Sequence, residues 1–539
     1  MKFTPRLFWR VPSLLLLHLA CGAFALQTDK PLTRAERTDY RETSHYEDVL
    51  QFPSDLQSGS ANLRLASIGT SDEGRRIPLA IVSKPLVATP IEARRNGKLV
   101  VYIQANIHGG EVEGKEASLM LLRELCRTDR LHLLDKMVLL VAPIYNIDGN
   151  ERWGEGKRNR GSQDGPDIVG ERTNGKGLDL NRDGVKAESP EMRGALKQIY
   201  NAWDPDLMMD LHTTNGTRHG YQLTYAPPLH PNTEAGILSF ARDQLLPSVR
   251  KRLNKQHGLK LQDYGNVEGP PENRAWRTVA PEPRYLTNYV GLRNRIAILS
   301  EAASFLPFKQ RVEVTLQFVE AVLQETAKHA DVVKRLTREA DARVTLWGLR
   351  PEGAPTVGVR YEMASRGVEP IPLEKLVPGM EIDHRKAPTA LQIVNLLVYD
   401  RFRATRTTPF PSAYLLPPSQ APAVELLRRH GIMVERLTSP WKGKAEEFEI
   451  TESVSSPPFQ GHRLVRLEGQ YKRIDADAPA GAYLVRTSQP LGNLICQLLE
   501  PESLDGLAAW GLLEGEMRSG QKYPILKIMN RVNAPTIIQ

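Results

Sequence analysis

The chain has 539 residues, of which 41% are hydrophobic, 25% charged and 6% aromatic, and its mean hydropathy is −0.38. That balance excludes a disordered, collagenous or multi-span membrane chain and gives room for two or three domains, each with its own core. A net charge of +8 spread over this length is no nucleic-acid footprint, and three cysteines cannot build a disulfide scaffold.

At the start, Lys2, Arg6 and Arg10 precede an apolar run from Val11 to Ala20, and Ala23-Phe24-Ala25 fits the small-x-small rule of signal peptidase. The run is shorter than the roughly 20 residues that a spanning helix needs. The expectation is therefore a leader over residues 1–25, cleaved after Ala25. The mature chain is then exported, to the periplasm or the extracellular space, with no stable membrane insertion. Cleavage removes three basic and no acidic residues, which takes the net charge from +8 to +5. Cys126 and Cys496 remain, in different halves of the chain, and read as free thiols.

Residues 26–60 are polar and read as an extended lead-in. From 61 to 340 strand and helix signals alternate, which predicts an α/β fold with a mixed, mostly parallel sheet flanked by helices. Lys98–Asn106, Met137–Tyr145, Leu207–Leu211 and Arg295–Ser300 are apolar runs of buried-strand type. Ala117, Met120, Leu121 and Leu125 recur at helical spacing between the first two runs, and one long closing helix is expected over Arg311–Leu336. Residues 150–170 read as a loop at a cleft rim, with Lys157-Arg158-Asn159-Arg160 a solvated stretch of it. From 341 to 539 short strand-like runs alternate with Pro and Gly, predicting a β-rich module or two small ones. Its clear helix, Ala423–His430, is stopped by Gly431.

Chemistry-bearing residues gather at the ends of the buried runs. Asn106-Ile107-His108-Gly109-Gly110-Glu111 follows the first run, so a His and a Glu three positions apart sit at a strand-to-helix junction. Imidazole nitrogen and carboxylate oxygen are both Zn²⁺ ligands, and the glycines let the backbone turn between them. His212 ends the third run, where α/β sheets bind ligands, and can complete a His, Glu, His set with a position left for water. His219, His230 and His329 follow no strand end and read as surface or structural.

With Gly170-Glu171-Arg172-Thr173-Asn174-Gly175-Lys176-Gly177-Leu178-Asp179-Leu180-Asn181-Arg182-Asp183 between them, the order of motifs resembles the zinc carboxypeptidase family (the funnelins). The matching steps are His108/Glu111, Asn146-Ile147-Asp148-Gly149, Arg172 through Arg182, Ser189-Pro190-Glu191, His212 and Leu299-Ser300-Glu301. The resemblance covers roughly half of the chain and leaves residues 341–539 outside it. It makes residues 61–340 a zinc carboxypeptidase-like catalytic domain and 341–539 an accessory module.

The resemblance implies one Zn²⁺ ion bound by His108, Glu111 and His212, with Asp179 orienting the His108 ring. Asn181 and Arg182 would hold the free C-terminal carboxylate of a peptide substrate. Arg172 would stabilise the developing oxyanion, displaced by one residue beside the extra Glu171. Glu301 would move the proton from water to the leaving nitrogen. A tyrosine that closes over substrate is placed at Tyr289 by spacing, with Tyr285 the other choice. The function implied is a zinc-dependent metallocarboxypeptidase. The alternatives are an amidase or deacylase on the same scaffold, aspartoacylase-like or acting on peptidoglycan peptides, and a non-catalytic peptide-binding relative. The preferred terminal residue, the role of the module and the oligomeric state stay open.

Overall fold

The computed structural model describes residues 31–538 except 128, 215, 377–380 and 382, together with residues 1, 2 and 4. The expected leader and its cleavage site therefore lie outside the described residues, apart from those three positions.

Eight strands form the central sheet: β1 (Leu63–Thr70), β2 (Arg76–Val82), β3 (Leu99–Ala105), β4 (Met137–Ala142), β5 (Leu207–Thr213), β6 (Leu223–Ala226), β7 (Leu261–Asp263) and β8 (Ile296–Ala302). Their order is β1-β2-β4-β3-β5-β8-β6-β7. The middle four, β4-β3-β5-β8, run parallel, and β2 and β6 join them antiparallel on either side. Every residue of those four strands is buried, because helices cover both faces; hence their unbroken apolar runs. This is the expected mixed α/β sheet.

Two expectations about helices are corrected. The lead-in is not extended: residues 46–58 form α1 (Tyr46–Ser58). Val49, Phe52, Pro53 and Leu56 make a buried stripe one face wide inside a polar segment, and the Asp48 carboxylate accepts the His45 N–H at 2.9 Å to start the helix. α2 (Glu113–Arg127) buries Ala117, Leu121 and Leu125 as expected. The closing helix is two helices, α3 (Phe308–Lys328) and α4 (Ala330–Leu349). The break is at His329, whose ring Nδ1 and backbone N–H both bond Glu325 O and so close the last turn of α3.

Beyond α4 the chain is β-rich, as expected, but four of its strands are far longer than the sequence runs. β9 (Val357–Glu374) and β10 (Leu391–Thr408) form an 18-by-18-residue hairpin. Ala275–Arg277, from the α/β half, pairs parallel with β10, so the two halves share a sheet. α5 (Ala421–Arg429) is followed by Gly431 at φ +85°. β11 (Trp441–Phe459) and β12 (His462–Ala478) form a second long arm on a seven-stranded sheet whose pairings are all antiparallel. Cys496 is a buried free thiol. Among the described residues no helix is long and apolar enough to cross a membrane.

Candidate active site

The sheet register brings the distant motifs together. Ala105 pairs with Leu211 across β3 and β5, so the loop after β3 opens beside His212. Glu301 pairs with His212 across β5 and β8, one strand spacing away. Asn106 takes the left-handed turn after β3 at φ +57°, and its Nδ2 donates to the carbonyls of His108, Gly109 and Glu111 at 3.2, 3.2 and 2.9 Å. The glycines serve a different need from the tight turn expected. A Cβ on Gly109 would stand 2.3 Å from the Gly149 carbonyl carbon and 2.5 Å from Glu171 O. The loops around this turn are tied by Asn146, whose Nδ2 donates to Ile107 O at 3.1 Å and Arg172 O at 3.0 Å.

The three expected ligands converge. His108 Nδ1 lies 2.9 Å from Glu111 Oε1, and His212 Nδ1 lies 3.0 Å from Glu111 Oε2. One ligand atom from each of the three lies within 4.8 Å of the others, and all three side chains are buried. The outer nitrogens both face carboxylates: His108 Nε2 is 3.1 Å from Asp179 Oδ1, and His212 Nε2 is 3.0 Å from Asp210 Oδ2. With an ion bound, a proton on each Nε2 would leave each Nδ1 lone pair aimed at the shared point; without one, each Nδ1 can donate to Glu111. Two imidazoles and one carboxylate with their rings so held are a donor set for a divalent ion of the zinc type.

Charge is concentrated here. Burial works against the Glu111 carboxylate, yet His108, Arg160 and the bonds from both imidazoles hold it well below the usual range. Burial also opposes ionised Asp179, but the bond from His108 and the charges of His108, Arg172 and Arg182 keep it strongly acidic. For Glu301 burial wins: its carboxyl is pushed up to about 8, with Glu111 adding to the rise and His212, Arg160 and Arg172 resisting it. A buried carboxyl one strand spacing from a metal-type donor set is placed for proton transfer.

Arg172 donates from Nε to Asp179 Oδ2 at 2.9 Å, so the extra Glu171 does not displace it from the site. Arg182 lies with its guanidinium over the Tyr285 ring at 4.4 Å, and Asn181 Oδ1 accepts the Leu286 N–H at 3.2 Å. Tyr289 does not belong to the site. It is fully buried, with its hydroxyl 2.8 Å from His430 Nδ1 and 3.1 Å from an Arg293 donor, because an apolar helix face turns it into the core. Tyr264, whose hydroxyl feels burial first and then the Glu301 and Glu111 charges, sits closer to the chemistry, and nothing in its sequence context marks it.

The largest miss is Arg160. Read as part of a solvated stretch, it is instead buried, donating to Glu111 Oε1 at 3.0 Å and to the carbonyls of Thr213 and Thr214 at 3.0 and 3.3 Å. The neighbouring segment 164–165 is held by buried Arg311, which donates to the carbonyls of Asp164 and Gly165 at 2.7 and 2.6 Å. Asp210, two positions before the candidate ligand His212 but given no role in the sequence reading, is the other miss. His219 and His230 are buried and structural.

Residues 49–214 match the family model described as zinc carboxypeptidase. The matched segment holds His108, Glu111, Arg160, Arg172, Asp179, Asn181, Arg182 and His212 and ends before Glu301. Carboxypeptidase 2 of Trichophyton tonsurans is 24% identical over 475 residues, covering 85% of this chain and 81% of its own. Carboxypeptidase D of Homo sapiens is 29% identical over 174 residues, 31% of this chain and 12% of its own. Among solved structures, a metallo-carboxypeptidase from Burkholderia cenocepacia is 16% identical, covers 53% of this chain and 70% of its own, and has a TM-score of 0.39. Residues 49–214 are thus similar to the zinc carboxypeptidase family, and most of the chain is similar to the fungal carboxypeptidase.

Proposed function

We propose, with the zinc carboxypeptidase match over residues 49–214 as premise, that the chain is a zinc-dependent metallocarboxypeptidase that removes C-terminal residues from peptides. The observation that carries this reading is the convergence of both Nδ1 atoms on Glu111, with Asp179 and Asp210 behind the rings. His108, Glu111 and His212 would hold one Zn²⁺. When bound, the ion supplies a Lewis acid and brings water toward ionisation near neutral pH.

The protein's own residues do the rest. Glu301 takes the proton of the attacking water on a carboxylate oxygen and delivers it to the leaving amide nitrogen. Burial raises its carboxyl above the usual range, and the charge of a bound divalent ion would draw it back toward the carboxylate that accepts the water's proton. Arg172 stabilises charge growing on the scissile carbonyl oxygen. Arg182 and the Asn181 amide bind the two-oxygen terminal carboxylate, with the Tyr285 ring supporting the Arg182 fork from below. Arg160 keeps the Glu111 carboxylate ionised and fixed. Export to the periplasm or beyond is proposed with the leader over residues 1–25; N-terminal sequencing of the mature protein checks it.

The test is release of the last amino acid from N-acylated dipeptides, beside the same peptides ending in a carboxamide. Cleavage of the free acids alone, stopped by a chelator and restored by zinc, is expected. Equal cleavage of the carboxamides, or cleavage that survives the chelator, refutes the reading.

A further inference from the structure

The β11–β12 arm ends at the site. Phe459 pairs with His462, so the loop between them is the dipeptide Gln460-Gly461. Both residues have positive φ, +49° and +78°. A two-residue hairpin turn with two positive φ angles favours Asn or Asp before Gly, since a longer side chain gains nothing from local bonding and bears the left-handed strain. Gln460 departs from that preference, and its extra length is used: Oε1 accepts the backbone N–H of Asp179 at 2.9 Å.

Asp179 is the carboxylate behind His108. Its Oδ1 also accepts the Asn181 N–H at 3.0 Å, and Oδ2 accepts from Arg172. The Asp179 carboxylate thus holds the ring of one expected ligand, the Arg172 side chain and the segment that carries Arg182, and Gln460 holds the backbone from which that carboxylate springs. The arm is anchored so that this contact is firm. His462 Nε2 bonds Glu188 Oε1 at 2.6 Å, Phe459 stacks on Trp510 at 6.1 Å between centroids, and the Arg284 guanidinium lies over both rings at 5.3 and 5.2 Å. Arg284 is itself held by Asp505 at 2.9 Å. A 19-residue strand and a 17-residue strand, where five or six residues are usual, deliver one glutamine to this point.

We infer that Gln460, at the tip of the C-terminal arm, is a positioning residue of the active site: it fixes Asp179 and through it the orientation of the His108 imidazole toward the metal. The C-terminal module is then part of the catalytic apparatus and not a separate appendage. The inference rests on the reading of His108, Glu111 and His212 as zinc ligands.

The experiment uses the full chain and three proteins: wild type, Gln460→Gly and Gln460→Glu. Zinc affinity is measured by competition with a chromophoric chelator, alongside melting temperature and kcat/KM on an N-acylated dipeptide. Gln460→Gly relaxes the left-handed backbone while deleting the acceptor, so its metal-free melting temperature is expected to hold or rise. Its zinc affinity is expected to fall about three- to tenfold, the value of one lost hydrogen bond, with kcat/KM falling in step and KM little changed. Gln460→Glu keeps an acceptor of the same reach and is expected to retain affinity within about twofold. Wild-type zinc affinity in Gln460→Gly overturns the inference, as does a loss of affinity that Gln460→Glu shares in full. A wild-type protein that binds no zinc overturns it by removing the ligand reading itself, and the wild-type arm alone reports that.

Discussion

Replacing Arg160 by methionine removes one charge and three hydrogen bonds from a buried position while keeping most of the side-chain volume. Glu111 Oε1 loses a partner at 3.0 Å, and the Thr213 and Thr214 carbonyls lose donors at 3.0 and 3.3 Å. Breaking a buried ion pair from one side costs about 3–5 kcal/mol, and the low end applies because both imidazoles still face the carboxylate. Two carbonyls left without a donor add about 1 kcal/mol each, for a total of about 5 kcal/mol. Unfolding entropy of about 2.1 cal/mol/K per residue over a cooperative unit of ~300 residues turns that into a fall in Tm of about 8 °C. Urea unfolding of wild type and Arg160→Met, both in chelator so that metal binding does not enter, measures the difference. A loss below about 1 kcal/mol would mean that Arg160 behaves as an ordinary solvated arginine, and the electrostatic account of the site would fail with it.

Asp179→Asn keeps the shape behind His108 but not the charge, and should weaken zinc binding about 10- to 100-fold in a chelator competition while the fold is retained. Glu301→Gln should bind zinc as wild type does and lose about a hundredfold or more in kcat, read from single-substrate kinetics. Tyr289→Phe should leave KM unchanged and cost about 1–2 kcal/mol in urea unfolding, because it strips a donor from His430 Nδ1 and an acceptor from Arg293. Acid should weaken the fold early. Burial pushes His219 down to about 4 and His230 and His430 down to about 3, so the unfolded chain takes up protons near pH 6.5 while the folded chain does not. Their contribution is fully present above about pH 6.5 and is lost as pH falls toward 4, which urea midpoints at pH 7 and pH 5 in chelator would show; His430→Asn should flatten the trend.

What the sequence revealed was local. An apolar run buried on both faces announces itself, so β3, β4, β5 and β8 were legible, and with them the strand-end ligands His108 and His212. Motif order supplied Asp179, Arg172 and Glu301, which the register then brought side by side. Residues whose role depends on distant chain were not legible. Arg160 sits among exposed Lys157 and Arg158 and half-buried Asn159, and only the fold of residues 156–165 sets the buried arginine apart from them. Tyr289 satisfied a spacing argument, yet its helix turns it toward His430, 141 residues away in sequence. The β11–β12 arm is half exposed along its length and alternates weakly, so only fragments of it resembled strands. Gln460 reaches across 281 positions to Asp179, and nothing within its own segment points there.

X-ray absorption at the zinc edge of the zinc-loaded protein examines the heart of the account. Two imidazole nitrogens and carboxylate oxygen at about 2.0–2.2 Å are predicted, with the imidazole scattering halved in His212→Ala. A sulfur shell near 2.3 Å, or an imidazole signal that His212→Ala leaves untouched, would contradict it.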